Sequence, residues 1–359
     1  MSTINLSRVS KQFGNLRAVD EVDLDVAAGE VVCLLGPSGC GKTTTLRMIA
    51  GFVTPDGGTI MLDGKALSST RGVVPPEKRG MAMIFQSYAV WPHLTVFENV
   101  AFGLRARRLP GAEIRKRVGE ILDVVRLGQL AGRFPAELSG GQQQRIALAR
   151  SIVTRPDVLL LDEPLSNLDT ALRGDMRKEI RRLHDEFQIT MVYVTHDLAE
   201  AMAVSDRIAV MSGGRIEQIA DPATLFRRPR TRFVAAFIGG TNVMTARRAG
   251  DILRFADFEI AAIASNVALA DGETAPFSLR AKAMTLHATA PSRGILLPCR
   301  VLSRTYAGDS FEYDLACPAG ASLRVDAAPG CEILAGAQAW VSFDPADLVQ
   351  LEPDCVEGA

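Results

Sequence analysis

Residues 31 to 44 read VVCLLGPSGCGKTT. Val31 to Leu35 are five apolar residues in a row, the texture of a strand covered on both faces. They run straight into Gly36, Pro37, Ser38, Gly39, Cys40, Gly41, Lys42, Thr43 and Thr44, and Gly36 to Thr43 match G-x-x-x-x-G-K-[ST]. Between a strand and a helix, such a loop turns backbone N–H groups onto phosphates, and the helix adds its positive end. In that chemistry Lys42 reaches the β- and γ-phosphate oxygens and the Thr43 hydroxyl ligates Mg²⁺. The stretch predicts a parallel α/β sheet that carries a nucleotide.

Three further runs have the same texture and the same kind of ending. MAMIF (Met81 to Phe85) leads into Gln86, VLLL (Val158 to Leu161) into Asp162 and Glu163, and MVYVT (Met191 to Thr195) into His196. Open parallel sheets bind ligands beyond the carboxyl ends of their strands, so the four endings predict one site. A carboxylate at Asp162 suits the surroundings of Mg²⁺, and Glu163 is placed to orient and deprotonate a water. His196 alone reads equally as a solvated bystander, but a strand ending beside Gln86 and Glu163 favours a contact to a γ-phosphate or an attacking water. Phe13, in KQFGN, is either a base-stacking aromatic or a core residue. Cys40 is either a small filler of the loop or a point where alkylation blocks a nucleotide.

Between Tyr88 and Arg150 the pattern turns helical. Thr95 to Glu98 form a capping box ahead of a stripe of Phe97, Val100, Ala101 and Leu104, with Pro110-Gly111 as its stop. A second stripe runs Ile114, Val118, Ile121, Leu122 and Val125. Then comes LSGGQQQR, Leu138 to Arg145, a second candidate phosphate seat: Ser139 suits an N-cap, Gly140 and Gly141 allow close approach, and the helix points its positive end outward. Asp221-Pro222 opens a further helix, and RRPRTRF crosses as a solvated basic connection toward Gly239-Gly240. Beyond it FEYDL, SLRVD and WVSFD alternate apolar and polar residues, and Ala307-Gly308-Asp309 signals a turn, which predicts a small β-barrel domain.

Bulk composition narrows the partners. With 40 Lys+Arg against 41 Asp+Glu the formal charge is −1, so no global field draws in nucleic acid or an anionic membrane. The six cysteines include no C-x-x-C pair and have no histidine at zinc-ligand spacing, which fits a reducing compartment. Neither a signal-peptide core nor a bilayer-length apolar run is present, so the expectation is a cytosolic protein that meets a membrane only through partners.

In this order, GPSGCGKTT, Gln86, LSGGQQQR, VLLLDEP, SNLD (Ser166 to Asp169) and His196 resemble the nucleotide-binding subunit of ABC transporters. The C-terminal β-domain is similar to the TOBE domain of importer ATPases typified by the maltose and ferric-iron systems. The resemblance implies an α/β P-loop ATPase domain over residues 1–238, with a helical subdomain at about 88–150, and a small all-β, OB-like domain over 239–359. It implies an ATP-hydrolysing, Mg²⁺-dependent homodimer packed head to tail. Ser139, Gly140, Gly141 and Gln142 of one copy then close over ATP held by Gly36 to Thr44 of the other. Phe13 becomes the adenine-stacking aromatic, Gln86 the sensor of Mg²⁺ and water, Glu163 the base, Asp169 the contact across the dimer and His196 the switch, with Lys42 on the phosphates and Thr43 and Asp162 on the metal.

The segment SYAVWPHLTVFENVAFGL after Gln86 corresponds to the place where this family docks membrane permease subunits, with Trp91, Pro92 and His93 on that contact or in the core of the insert. A solute-binding protein is implied indirectly, nucleic acid is not, and the expected location is the cytoplasmic face of the bacterial inner membrane. Two departures stand out: Phe13 where Tyr is commoner, and Arg280-Ala281-Lys282 where importer ATPases often have Arg-Pro-Glu. Ferric iron or a polyamine is the implied cargo class, with sugar or phosphonate import and a soluble ABC ATPase as alternatives.

Overall fold

The polypeptide begins with two long strands and then the phosphate-loop strand. A computed structural model describes residues 2–69, 72–261, 269–291, 295–330 and 332–352. The first of its two units covers Met1–Pro222. In chain order its elements are β1 (Ile4–Phe13), β2 (Leu16–Val26), β3 (Val31–Leu35), α1 (Lys42–Ala50), β4 (Gly57–Leu62), β5 (Lys65–Ser69), β6 (Gly72–Val73), β7 (Met81–Ile84), α2 (Val96–Ala106), α3 (Gly111–Val124), α4 (Gly140–Ile152), β8 (Val158–Asp162), α5 (Thr170–Phe187), β9 (Thr190–Thr195), α6 (Leu198–Val204), β10 (Arg207–Ser212) and β11 (Arg215–Ala220).

The four apolar runs become neighbours in one sheet, of order β11-β10-β3-β9-β8-β7. From β10 to β7 every pairing is parallel, and only the edge strand β11 runs antiparallel. Every residue of β3, β8 and β9 is buried, which is why their sequences show no alternation. A second, antiparallel sheet of order β2-β1-β4-β5-β6 shares a core with it: Ile4, Leu6 and Val9 pack in one cluster with Val32, Leu34 and Leu46, Met48 and Ile49 of α1.

One charged side chain fastens α1 from behind. Arg79, only 2% exposed, donates Nη1 to Met48 O and Ile49 O at 3.0 and 2.6 Å, Nε to Val74 O, and Nη2 to Leu67 O and the Ser68 hydroxyl. Burial pushes its pKa down to about 10, still far above neutrality. A cation at the carboxyl end of a helix is favoured by the helix dipole, so the guanidinium ties α1 to the antiparallel sheet with the field in its favour.

The helical segment follows the capping signals. Thr95 caps α2 in a reciprocal box with Glu98, and Val96, Val100, Ala101 and Leu104 are buried. Pro110 is the N-cap of α3 rather than the stop of α2, which has already ended at Arg107, ahead of the left-handed Arg108. Ile114, Val118, Ile121, Leu122 and Val125 are buried as their spacing requires.

The second unit, Ala223–Ala359, takes in the helix Arg232–Ile238, which sequence reading left as a basic connection. Thr231 caps that helix, accepting from Val234 N. The strands that follow pair into two antiparallel sheets: Thr241–Ala249, Ile252–Arg254, Glu259–Ala261, Thr274–Arg280 and Val349–Gln350 in one; Thr285–His287, Leu297–Tyr306, Phe311–Ala316, Ser322–Ala327 and Gln338–Ser342 in the other. The expected barrel is therefore, among the described residues, a pair of five-stranded sheets around one core that includes Phe277, Tyr313 and Val341. Alternation assigns each strand one buried face, and that face is the same whether a sheet closes on itself or meets another. Asn242 stitches the sheets together, donating to Arg324 O at 2.8 Å and accepting from Arg324 N at 2.7 Å.

Arg79→Met is expected to cost the N-terminal unit about 3 kcal/mol or more, because each buried carbonyl left without a donor costs about 1 to 3 kcal/mol. Arg79→Lys should restore little, since an ammonium lacks the planar fork. Urea unfolding followed by circular dichroism reads this directly, and a wild-type midpoint for Arg79→Met would deny Arg79 any anchoring role.

Candidate functional site

The phosphate loop follows β3 and turns through two left-handed glycines, Gly39 at φ 82° and Gly41 at φ 103°. A Cβ on Gly41 would meet Ala18 O at 2.4 Å, and one on Gly36 would meet Met211 O at 2.4 Å, so the loop lies against backbone on both sides. Pro37, Ser38 and Gly39 form its exposed rim, while Cys40 is buried below them. Burial pushes the Cys40 thiol above its ordinary pKa, with the Lys42 ammonium pulling the other way, so little of it is thiolate at neutral pH.

The end of α1 that faces this loop has no side-chain cap and no acidic residue in its first turn. Such a helix start is a seat for an anion. Lys42 is 4% exposed and donates Nζ to Gly36 O and Pro37 O at 2.8 and 2.7 Å, which places its charge inside the loop. Thr43 and Thr44 are half-buried on the first turn. The Thr43 hydroxyl donates to Asp162 Oδ1 at 3.0 Å, joining α1 to the end of β8. Burial raises the Asp162 carboxyl above its ordinary pKa, opposed by the Thr43 hydrogen bond and by Arg47, whose Nη2 is 3.8 Å from Oδ2. Hydroxyl and carboxylate oxygens are the hard donors that Mg²⁺ prefers alongside phosphate oxygens, and the uncapped helix start suits the phosphates, so these residues fit MgATP.

At the next residue the chain turns sharply. Glu163 has φ 44°, a left-handed conformation costly for a side chain with a Cβ. Its N–H donates to Val194 O at 3.0 Å, and its carbonyl accepts from both the N–H and the hydroxyl of Ser166. The turn aims the carboxylate at His196 beyond β9, with Nδ1 3.3 Å from Glu163 Oε2. Gln86 is exposed just past β7, and its backbone carbonyl accepts from Asn167 Nδ2 at 2.8 Å. The endings of β3, β7, β8 and β9 thus meet along one edge of the sheet.

The remaining sequence-selected residues sit elsewhere on this unit. Phe13 is at the tip of the β1–β2 hairpin, 50% exposed, so it is not a core residue, and Lys11 Nζ lies 5.4 Å from its ring centroid. Ser139 caps α4 in a reciprocal box: its hydroxyl accepts from Gln142 N at 3.4 Å, and Gln142 Oε1 accepts from Ser139 N at 2.9 Å. Gly140 is exposed and Gly141 buried. Asp169 caps α5, accepting from Leu172 N at 3.0 Å. Sequence reasoning missed Arg47, Asn167 and Arg173. Asn167 lies inside the quoted SNLD stretch, whereas the arginines carry no local signal.

A strand–loop–helix phosphate seat beside two carboxylates at the end of one parallel strand and a histidine at the end of the next defines a P-loop nucleotide-binding protein. Comparison with known proteins narrows this: the ABC transporter family matches residues 19–166 and the TOBE domain residues 277–351. The spermidine/putrescine import ATP-binding protein PotA of Nitrosomonas europaea is 44% identical over 336 residues, covering 91% of each chain. Its counterpart in Methylococcus capsulatus is 47% identical over 88% of this chain and 82% of that one. Among solved structures, cbiO1 from Clostridium perfringens, part of the ABC transporter complex cbiONQ, superposes with a TM-score of 0.58 at 29% identity, over 62% of this chain and 90% of that chain. The chain belongs to the ABC transporter family, as an ATP-binding subunit with a TOBE domain, and is an ATPase.

Asp162 generates a stability prediction with a definite sign. A carboxyl whose pKa is raised by folding favours the fold below its unfolded pKa and opposes it once ionised. Without nucleotide, Asp162→Asn is therefore expected to melt higher than wild type at pH 7, with the advantage shrinking as pH falls toward about 4. ATP turnover of the same variant should fall by about two decades or more. Melting curves at the two pH values decide it: a variant that melts below wild type at pH 7 contradicts the assignment.

Proposed function

We propose that this chain is the ATP-hydrolysing subunit of a bacterial importer, that it works as a head-to-tail homodimer on the cytoplasmic face of the inner membrane, and that its cargo is a polyamine. The observation that carries the ATPase geometry is the Glu163–His196 pair, held at 3.3 Å beside a phosphate loop whose helix start is uncapped. Thr43, Asp162 and Gln86 would hold Mg²⁺, which when bound neutralises charge on the phosphates. The first-turn N–H groups of α1 and Lys42 Nζ orient the phosphate chain, and exposed Phe13 offers a ring for the base. Glu163 Oε2 accepts the proton of the attacking water, while His196 Nδ1 fixes where that oxygen points.

The second helix start supports the dimer. Ser139 and Gly140 are exposed at the beginning of α4, and a phosphate bound on a partner copy is what a positive helix end with an exposed serine cap can recognise. Asp169, exposed at the start of α5, is the proposed contact across that dimer. The permease-facing surface is placed on the segment after Gln86. There Trp91 packs on Phe102 at 4.3 Å and under Arg150 at 4.7 Å, Asn99 pins the turn through Trp91 N and O and Leu94 O, and Pro92, His93 and Phe102 remain exposed. Among the described residues no helix is long and apolar enough to cross a membrane; on this reading the pathway for cargo belongs to separate permease subunits. Polyamine, among the cargo classes that the sequence left open, is favoured by the names of the relatives that align over nearly the whole chain. The solute-binding protein acts through the permease.

Glu163→Gln is expected to bind ATP, to accumulate as a dimer in light scattering, and to turn over about two to four decades more slowly than wild type. Wild-type turnover would remove Glu163 as the base. For the cargo, loss of this chain from its cell should abolish uptake of labelled spermidine or putrescine and spare ferric iron. The opposite pattern would move the assignment to iron, and copurification with ribosomes in place of a permease would end the transporter reading.

A further inference from the structure

Arg173 stands at the end of the first turn of α5, where the positive end of the helix disfavours a cation. Its fork is fully directed. Nε donates to Leu168 O at 2.9 Å, Nη2 to Ser166 O at 3.1 Å, and Nη1 lies 3.8 Å from Asp197 Oδ2. Both ends of this brace reach the reacting pair. Ser166 is locked to Glu163 by two bonds to the Glu163 carbonyl, at 3.2 Å from its N–H and 3.0 Å from its hydroxyl. Asp197 is the neighbour of His196 and is fixed in its own right, its Oδ1 accepting from Glu200 N at 3.1 Å to cap α6.

A closed ring results: Glu163 to Ser166, Ser166 to Arg173, Arg173 to Asp197, Asp197 to His196, and His196 back to Glu163. Asn167, inside the braced turn, adds the Gln86 carbonyl to the same frame. We propose that Arg173 is a positioning residue for ATP hydrolysis, setting the spacing of Glu163 and His196 from behind. The proposal deepens the preceding reading and rests on Glu163 as the base. Arg173 and Asp197 are each 31% exposed, so a pair at 3.8 Å is weak by itself and the two carbonyl bonds do most of the fixing.

Steady-state kinetics of the full chain test this. Arg173→Met is expected to lower kcat about 10- to 100-fold with KM for ATP within about twofold, as lost geometry of reacting groups does. Arg173→Lys, which keeps the charge and loses the fork, should recover only a minor part. Asp197→Asn can still cap α6 and should cost about threefold, and the double variant with Arg173→Met should be no slower than Arg173→Met alone. Wild-type kcat in both Arg173 variants, or a KM that climbs as kcat falls, overturns the brace. Should Arg173→Met fail to fold, Arg173→Lys and Asp197→Asn decide, and wild-type turnover in both overturns it. Glu163→Gln measured alongside separates the two levels: full turnover there removes the base, whereas an inactive Glu163→Gln beside fully active Arg173 variants removes only the brace.

Discussion

The hydrogen bond from Glu163 N to Val194 O extends the parallel ladder between β8 and β9 by one residue beyond the last regular position of β8. Everything at the candidate site depends on that extension. It keeps the two strands in register up to the point where the chain must leave the sheet, and there Glu163 enters the left-handed region. Such a conformation costs roughly 1 to 3 kcal/mol for a residue with a side chain. Two bonds from Ser166 onto the Glu163 carbonyl, and Arg173 on the Ser166 carbonyl, hold the turn against that strain. Strain and bracing together aim a carboxylate across to the end of the neighbouring strand, which an extended backbone at Glu163 would not do.

Helix α1 is held under a similar tension between stability and use. Its carboxyl end is saturated by Arg79, whose guanidinium closes Met48 and Ile49 carbonyls in the interior. Its amino end is left without a cap, and the buried Asp162 carboxylate waits behind Thr43 at a pKa raised by desolvation. One end is stabilised by protein alone, and the other reserves its unpaired N–H groups and its unfavourable charge for a ligand. That asymmetry is what a phosphate seat requires, because an end already satisfied from within would have nothing to offer.

The parts of this arrangement that sequence disclosed are those set by local rules. Strands buried on both faces must be continuous apolar runs, so β3, β8 and β9 and their polar endings were legible, as was β7, an apolar edge strand that is only partly buried, and so was the meeting of those endings once parallel order was inferred. Thr95 and Ser139 announced their helices through capping boxes. What stayed hidden depends on backbone groups, near in the chain for Arg173 and mostly far for Arg79. Arg79 and Arg173 act on carbonyls, which every residue possesses, so no side-chain pattern marks their partners. The left-handed turn at Glu163 has no glycine to betray it. In the second unit, alternation identified Tyr313 and Leu315 as inward residues but could not choose between one closed sheet and two facing sheets, because both bury the same face.

Ser139 shows how one residue can satisfy two readings at once. As the cap of α4 its oxygen accepts from Gln142 N, and at 3.4 Å the bond is long. A serine hydroxyl has two acceptor lone pairs and one proton to donate, and the cap engages only an acceptor. Among the described residues nothing takes the proton. Gln142 Oε1 meanwhile satisfies the Ser139 N–H, which leaves the exposed hydroxyl proton and the Gly140 and Gly141 amides outside the cap. Capping therefore prepares the helix start without consuming what a phosphate would need. A threonine could cap as well but would add a methyl group at the exposed tip, and an aspartate would cap better while repelling an anion. Serine is the residue that serves the helix and still leaves the surface open to an anion.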